Sequence, residues 1–259
     1  MGRLQGKVAL ITGIGSGIGR SAAIIFAKEG ARVVGVDQNS ESGQETLKLV
    51  KYAGCDTIFV EGDISKSEEV KKMIKTTIAN YGKLDVLYNN AAITHDPETV
   101  PIAECKEEDF DRLMAVNLKG VFLTMKYAIP EMLIAGGGSI INTSSISTLE
   151  GWPVLPAYSA SKGGVLAISK SVAMAYVSKN IRVNCIQPGP TLTEQLDIFM
   201  KSNKKYKEKF LGRCPSGRFN KPEEIAMASL FLATDEASGI TGTEIIVDLG
   251  FTCAGFPIC

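Results

Sequence analysis

The sequence predicts an α/β fold: a doubly wound parallel sheet of about seven strands, flanked by helices, within a single domain. Short apolar runs alternate with amphipathic helical segments along the whole chain of 259 residues. The runs are almost continuously apolar, as is typical of strands buried on both faces. Neither a proline- and serine-rich linker nor an internal repeat interrupts this alternation, so we interpret residues 1–259 as one domain.

Each strand is predicted from an apolar run of strand length. In chain order the strands are KVALITG (7–13), ARVVGVD (31–37), DTIFVEGD (56–63), LDVLYNN (84–90), GSIINTSS (138–145), IRVNCIQPG (181–189) and TEIIVDLG (243–250). Helices are predicted at about 18–29, 40–52, 68–81, 107–135, 157–178, 194–211 and 222–233. We expect Pro130 to bend or break the fourth helix because proline lacks a backbone N–H. We expect Asn180 to turn the chain out of a helix in the left-handed conformation.

Charge and composition exclude several classes of function. The 28 basic and 28 acidic residues balance, which argues against a protein that binds nucleic-acid phosphates. The single histidine, His95, excludes a histidine-rich metal site, and we expect no metal. No secretory or membrane segment is recognisable, so we expect a cytoplasmic protein with no membrane partner. The six scattered cysteines predict reduced thiols, with a bridge involving Cys253 or Cys259 as the alternative.

A glycine-rich loop joins the first predicted strand to the first predicted helix. Gly13 allows a sharp turn, Gly17 lets backbone approach a pyrophosphate, and Gly19 lets helix and strand pack closely. The helix start, with Ser16 and Ile18, offers unpaired N–H groups to phosphates. A tight structural turn could use the same glycines, but the strand before and the helix after favour a dinucleotide site of Rossmann type.

Asp37 ends the second predicted strand. A carboxylate at this place can accept hydrogen bonds from an adenosine ribose and would repel a 2′-phosphate. Gln38 and Asn39 follow it, and neither is basic. NAD is therefore predicted as the cofactor rather than NADP, the alternative being that Asp37 merely ends a strand.

Four polar residues complete a recognisable pattern. Tyr158 and Lys162 are four apart on a predicted helix and share a face, Ser145 closes the preceding strand, and Asn117 lies on an earlier helix. With these, the chain resembles the classical short-chain dehydrogenase/reductase family nearly end to end. The resemblance rests on Thr12-Gly13-x-x-x-Gly17-x-Gly19, Asp63-Ile64, Asn89-Asn90-Ala91, Asn117, Ser145, Tyr158-x-x-x-Lys162 and Pro188-Gly189 with Thr193. The chain departs from the family at Ala92, where glycine is usual.

The resemblance implies an oxidoreductase that interconverts a secondary alcohol and a ketone with NAD(H). Tyr158 would be the acid/base, and Lys162 would favour its phenolate and hold the nicotinamide ribose. Ser145 would bind the substrate oxygen, and Asn117 would hold a water that relays protons through Lys162. The remaining cofactor contacts implied by the resemblance are Asp63 and Ile64 at adenine, Asn89 and Ala91 on the adenosine side, and Pro188, Gly189 and Thr193 at the nicotinamide end.

Substrate and assembly are less sharply indicated. The apolar segment 152–156 suggests a hydrophobic, ring-shaped or hydroxysteroid-like alcohol, although loop packing explains it as well. His95 could touch substrate or be a solvated loop residue. The resemblance implies a mobile lid at about 191–215 and a homotetramer, to which the apolar tail 251–259 could contribute. The lid is rich in lysine, which predicts either a solvated face or a collar for an acidic substrate: Lys201, Lys204, Lys205, Lys207 and Lys209.

Two other functions remain open. The first is a 3-oxoacyl thioester reductase, whose acidic carrier the lid lysines could receive. Asp37 argues against it because biosynthetic reduction generally uses NADPH. The second is a non-catalytic module that senses NAD(H), which would not need Ser145, Tyr158 and Lys162 together. The predicted partner is a small-molecule alcohol or ketone, with no nucleic acid.

Overall fold

The strands form one parallel sheet. The computed structural model describes residues 2–52, 54–94, 100–202 and 204–253, apart from the side chains of residues 195, 199, 202, 204–206 and 209. Within these ranges the seven strands are β1 (Val8–Thr12), β2 (Arg32–Asp37), β3 (Thr57–Glu61), β4 (Val86–Asn89), β5 (Gly138–Thr143), β6 (Ile181–Pro188) and β7 (Glu244–Val247). Every neighbouring pair is parallel, and the order across the sheet is β3-β2-β1-β4-β5-β6-β7. The predicted doubly wound parallel sheet is confirmed.

Helices cover both faces of this sheet. They are α1 (Gly17–Lys28), α2 (Ser40–Tyr52), α3 (Ser67–Tyr81), α4 (Glu107–Leu113), α5 (Gly120–Ile134), α6 (Pro156–Tyr176), α7 (Glu194–Ser202), α8 (Lys204–Leu211) and α9 (Pro222–Ala233). Apolar residues of α3, α5 and α6 pack into one core cluster, and those of α1, α2 and α9 pack into another. The strand order reverses between β1 and β4, which is where sheets of this kind bind ligands.

The region predicted as one helix over 107–135 differs from the prediction. Pro130 does not break the helix and lies inside α5. Pro130 and Lys126 are both exposed, so water can satisfy the carbonyl that the missing N–H leaves free. The regular helix is interrupted earlier, by a π-helical segment at Met114–Lys119. Asn180, by contrast, has φ of 59°, which confirms the left-handed turn before β6.

No helix among the described residues combines the length and the apolar character that crossing a bilayer requires. Within the described ranges Cys105, Cys185, Cys214 and Cys253 are free thiols, and Cys55, also a thiol, donates from Sγ to the Ala27 carbonyl oxygen at 3.1 Å. His95, Cys259 and the rest of the tail from residue 254 lie outside the described residues.

Candidate functional site

The candidate site lies at the carboxyl edge of the sheet, where the strand order reverses. All strands run parallel, so their carboxyl ends meet at this one edge. The glycine loop follows β1 there, and Asp37, Asn89 and Pro188 end β2, β4 and β6. Ser145 lies two residues beyond the end of β5. The fold thus gathers residues that are far apart in sequence.

The glycine loop leaves no room for side chains at its turn. Gly13 has φ of +74°, and a Cβ on it would lie 2.7 Å from Cα of Ala91. A Cβ on Gly19 would strike the carbonyl oxygen of Gly13. Asn90 Nδ2 holds this turn by donating to the carbonyl oxygens of Thr12 and Gly13, at 3.2 and 3.3 Å, and Ala91 N–H donates to Thr12 Oγ1 at 3.1 Å. The result is a backbone cradle into which a pyrophosphate fits.

The first turn of α1 binds an anion supplied by the chain itself. Ser16 precedes the helix, and its side chain makes no capping hydrogen bond. Gly17 N–H instead donates to Glu194 Oε2 at 2.8 Å, and Arg20 Nη1 lies 3.6 Å from Glu194 Oε1. Ile18 follows in the same turn. The first N–H groups of a helix lack partners within it and carry its positive end. The carboxylate therefore indicates that phosphates fit here.

Asp37 is held in place by backbone N–H groups. Its Oδ2 accepts from Gly15 N–H at 2.8 Å, and its Oδ1 accepts from Asn39 N–H at 2.9 Å. A carboxylate has about four acceptor positions, so about two remain for hydroxyl groups of a ligand. The charge of Asp37 thus lies beside the glycine loop.

Asn89, Ile64 and Asp63, also predicted to contact the cofactor, offer different atoms to a ligand. The buried Asn89 side chain donates from Nδ2 to Asn142 Oδ1 at 2.8 Å, while its Oδ1 has no hydrogen-bond partner among the described residues. The Ile64 side chain is buried in the core, so its main-chain atoms are what it leaves for a ligand. Asp63 accepts from Ser65 N–H at 2.9 Å and from Ser65 Oγ at 2.7 Å. Although burial opposes it, hydrogen bonds from Ser65 and a nearby lysine keep the pKa of Asp63 below its usual value.

The turn after β6 reaches over the glycine loop. Pro188 ends the strand, and Gly189 packs so closely that a Cβ on it would lie 2.6 Å from Cβ of Asp248. Thr193 follows, and its Cγ2 would lie 2.8 Å from a Cβ on Gly17. Thr193 therefore lies next to the loop that the sequence assigns to the cofactor, whereas Gly189 packs against the residue that follows β7.

Three predicted catalytic residues come together beyond β5. Ser145 Oγ accepts from Ser147 N–H at 3.1 Å, and the Ser145 side chain is near enough to the Tyr158 hydroxyl to lower its pKa. Lys162 is 2% exposed, and its Nζ donates to the carbonyl oxygen of Thr143 at 2.8 Å. The same Nζ lies 5.7 Å from the centre of the Tyr158 ring. Their spacing on α6 puts the phenol and the ammonium on one face, towards Ser145.

Burial disfavours the charged forms of both the tyrosine and the lysine. It raises the pKa of the Tyr158 hydroxyl, against a hydrogen bond with Ser145 that lowers it. It lowers the pKa of Lys162 to about 8, with Cys185 acting weakly in the opposite direction. Tyr158 is therefore protonated at neutral pH. Lys162 loses its proton at a pH slightly above neutrality.

This lysine predicts a pH dependence of stability. A folded-state pKa of about 8, below the model-peptide value of 10.5, makes charged Lys162 destabilising below pH 8. The cost disappears as pH rises through the interval between the two values. Relative to Lys162→Met, the unchanged protein should gain about 2 kcal/mol in unfolding free energy between about pH 7 and about pH 9.5. Urea denaturation at both pH values measures this difference.

The control is on the same helix. Lys170 is half exposed and pairs with Glu244 at 3.2 Å. Relative to Lys170→Met, the unchanged protein should show no such gain, because an exposed lysine keeps similar surroundings on unfolding. If the two variants respond to pH alike, burial of Lys162 does not set its pKa.

Asn117 lies in the π-helical segment and is fully buried. Its Oδ1 accepts from Ile93 N–H at 2.9 Å, and its Nδ2 donates to the Ile93 carbonyl at 2.9 Å and to Ser161 Oγ at 3.2 Å. The Asn117 side chain thus links the segment that follows β4 to α6. π-Helical turns often mark functional sites, and this one places Asn117 next to the helix that carries Tyr158 and Lys162.

An aromatic cluster joins the predicted lid to the segment before α6. Trp152 stacks on Phe251 with ring centres 6.2 Å apart and lies 5.8 Å from Phe210 of α8. The Arg213 guanidinium lies 4.7 Å from the Phe251 ring centre and donates to Glu150 at 2.9 Å. Within the described residues the buried Trp152 Nε1 has no hydrogen-bond partner. This side of the site is largely apolar.

The lid lysines are described only in part. Lys201 pairs with Asp197 at 2.5 Å, and Lys207 is partly buried. The side chains of the other three lysines lie outside the described residues. Ala92, the departure from the family pattern, is exposed.

A sequence profile and a solved structure match nearly the whole chain. The sequence profile described as "Enoyl-(Acyl carrier protein) reductase" matches residues 13–252. The crystal structure of a short-chain dehydrogenase/reductase from Burkholderia xenovorans superposes with a TM-score of 0.94 at 35% identity, covering 99% of this chain and 100% of that one.

Three curated relatives match over nearly their whole length. An uncharacterized oxidoreductase of Thermotoga maritima is 46% identical, covering 96% of this chain and 98% of the relative. The 3-oxoacyl-(acyl-carrier-protein) reductase FabG of the same organism is 40% identical over the same shares. The cyclohexanol dehydrogenase of Acinetobacter sp. is 35% identical, covering 96% of both chains.

Proposed function

Because the chain belongs to the short-chain dehydrogenase/reductase family, an oxidoreductase family that uses nicotinamide cofactors, we propose that it interconverts a secondary alcohol and a ketone with NAD(H). The observation that carries this proposal is the grouping of Ser145, Tyr158 and Lys162 at the same edge of the sheet as the glycine loop. The bound nicotinamide ring accepts or supplies the hydride. The chain's own residues position the substrate and move the proton.

Tyr158 is the proposed acid/base. Its raised pKa keeps the phenol protonated, so it can donate a proton to a ketone oxygen during reduction. In the opposite direction the phenol must lose that proton, and the Lys162 ammonium beside its ring favours the phenolate. Ser145, which is near enough to the Tyr158 hydroxyl to lower its pKa, would hold the same substrate oxygen. Lys162 would also hold the nicotinamide ribose.

Asn117 is proposed to position a water that passes protons to Lys162. Since its side-chain amide already bonds to Ile93 and Ser161, the water would meet its main-chain carbonyl. The proton taken up or released by Tyr158 could then exchange with solvent through Lys162.

The cofactor is proposed to lie along the carboxyl edge of the sheet. NAD is preferred because Asp37 presents its charge and free acceptor positions beside the loop. The proposed cofactor contacts are Gly13, Ser16, Gly17, Ile18, Gly19, Asp37, Asp63, Ile64, Asn89, Ala91, Tyr158, Lys162, Pro188, Gly189 and Thr193.

The proposed substrate is an apolar cyclic or hydroxysteroid-like alcohol. The partly exposed Trp152, which packs with Phe210 and the buried Phe251, places an apolar side chain between Ser145 and α6, and this favours such a ligand over a sugar. The similarity to a cyclohexanol dehydrogenase supports the same choice.

A second candidate is reduction of 3-oxoacyl thioesters. The 40% identical FabG relative favours it, and the lid lysines could receive an acidic carrier. In that case kcat/KM for a carrier-bound substrate should fall steeply with ionic strength, while a neutral alcohol should show no such fall. Asp37 argues against this candidate, because it disfavours NADPH.

A substrate panel tests the proposal. Hydroxysteroids, cyclic alcohols, diols and 3-oxoacyl thioesters are followed at the NADH absorbance with both cofactors. We expect NADH formation from cyclic or steroid alcohols with NAD. Turnover confined to thioesters with NADPH would favour the second candidate, and NADH binding without turnover of any alcohol would favour a sensing module.

For the assembly we propose a homotetramer of single-domain subunits in the cytoplasm, with a lid at about 191–215. Exposed apolar side chains on α4, α5 and α6, which include Phe110, Phe122 and Met174, support association through these helices. Size-exclusion chromatography with light scattering measures the subunit number.

A further inference from the structure

An acidic lid residue touches the glycine loop at the place proposed for the pyrophosphate. Glu194 is the first residue of α7, and its Oε2 accepts a hydrogen bond of 2.8 Å from Gly17 N–H. Arg20 Nη1 lies 3.6 Å from the other carboxylate oxygen. Thr193, one residue earlier, packs against the same glycine. The start of the lid is therefore fastened to the start of α1.

This contact uses a group that a dinucleotide would also use. The first N–H groups of a helix attract anions, and Ser16 gives α1 no side-chain cap. Gly17 N–H cannot point at the Glu194 carboxylate and at a phosphate oxygen with good geometry in both bonds. Two anions side by side also repel each other.

We propose that Glu194 is a built-in competitor of the cofactor pyrophosphate. Before the cofactor binds, the Glu194 carboxylate accepts the hydrogen bond from Gly17 N–H at the start of α1. The carboxylate leaves Gly17 when the pyrophosphate binds. The inference rests on the proposed function, because it requires a dinucleotide at the glycine loop. Binding of the cofactor thereby includes release of the first turn of the lid, and the charge of Glu194 lowers cofactor affinity.

The surroundings of Glu194 allow this exchange. Its side chain is 52% exposed, so the carboxylate can move into water without being buried elsewhere. Arg20 keeps partners in both states, because it also donates to the Gly15 carbonyl oxygen and to Thr46 Oγ1 and pairs with Glu45. The guanidinium therefore remains beside the loop and can neutralise part of the incoming phosphate charge.

The test compares ligands with and without a pyrophosphate. Glu194→Gln keeps the size and a hydrogen-bond acceptor but removes the charge. We expect the dissociation constants of NADH, measured by its fluorescence, and of ADP, measured by displacement of NADH, to fall about 3- to 10-fold. Adenosine should bind unchanged. Asp197→Asn is the matched control: it removes one charge from the same helix, where Asp197 pairs with Lys201, and should change none of the three.

Three outcomes would count against the inference. Equal affinities of the unchanged protein and Glu194→Gln for NADH and ADP would overturn it. A gain that Asp197→Asn reproduces, or that extends to adenosine, would show a general charge effect and also overturn it. If the unchanged protein binds neither NADH nor ADP, the proposed function itself fails, so the two failures are distinguishable.

Discussion

Replacing Tyr158 with phenylalanine is expected to lower kcat about 100- to 10,000-fold, the usual contribution of a positioned acid or base. The phenol is the titratable group whose pKa responds to Ser145, and it lies on the Lys162 side of α6. Phenylalanine keeps the ring but removes the proton. Initial rates of alcohol oxidation and ketone reduction, with saturating cofactor, measure the loss in both directions.

The variant is informative only if binding survives. Tyr158→Phe should keep NADH affinity within about 2-fold, because Lys162 retains its bond to the Thr143 carbonyl and most of the loop contacts are untouched. Tyr176→Phe, at the other end of the same helix, removes a hydroxyl far from the site and should leave kcat unchanged. Near-full turnover by Tyr158→Phe would rule out the acid/base role.

The effect should be large because burial disfavours the charged form of both groups. It raises the tyrosine pKa and lowers the lysine pKa, so each charged form is costly alone. Bringing them together lets one offset the other, since phenolate and ammonium attract in a poorly solvated site. Without the Lys162 ammonium, Tyr158 would be a poor base. Without the Tyr158 hydroxyl, Lys162 has no phenol whose pKa it could lower.

Local patterns were enough to predict most of the fold. The runs that form β1 to β7 are rich in apolar residues, and a glycine or polar residue lies at or just beyond the end of each, so their limits follow from composition. The region 107–135 was harder. Proline is a visible helix breaker, yet Pro130 is tolerated because it is exposed, whereas the π-helical segment depends on buried Asn117 bonding to Ile93 across the chain. Such long-range bonds leave no periodic signal.

The residues of the candidate site are likewise predictable from local motifs, but not where segments distant in sequence meet. The motif residues could be picked out because their spacing is fixed by one loop or one helix. Asn90, which holds the glycine turn, was visible only as a repeated asparagine at a strand end. Glu194 and Arg20 gave no signal at all, since their meeting depends on where the lid lies relative to α1. Asn89 entered as a cofactor contact, but its side chain faces the neighbouring strand.

Removing the charge of Asp37 is expected to shift cofactor preference. Asp37→Asn keeps an acceptor for Gly15 N–H, so the loop geometry should survive, while the repulsion of a 2′-phosphate disappears. At effective dielectrics near a protein surface, and allowing for screening, such a repulsion corresponds to about 10- to 100-fold in preference. We therefore expect the ratio of kcat/KM with NAD to kcat/KM with NADP to fall by that factor.

The change in kcat/KM with each cofactor distinguishes an effect of the Asp37 charge from an effect on the loop structure. If charge is the cause, kcat/KM with NADP rises, and the rise shrinks at high salt because exposed charges are screened. If the variant instead loses activity with both cofactors equally, the carboxylate acts by holding the loop and not by excluding phosphate. Glu61→Gln is the control, because Glu61 pairs in register with Asp37 at the end of the adjacent strand but is exposed and makes no described contact with the loop. That variant should leave the ratio unchanged, and an equal shift would assign the effect to the general field of this edge rather than to Asp37.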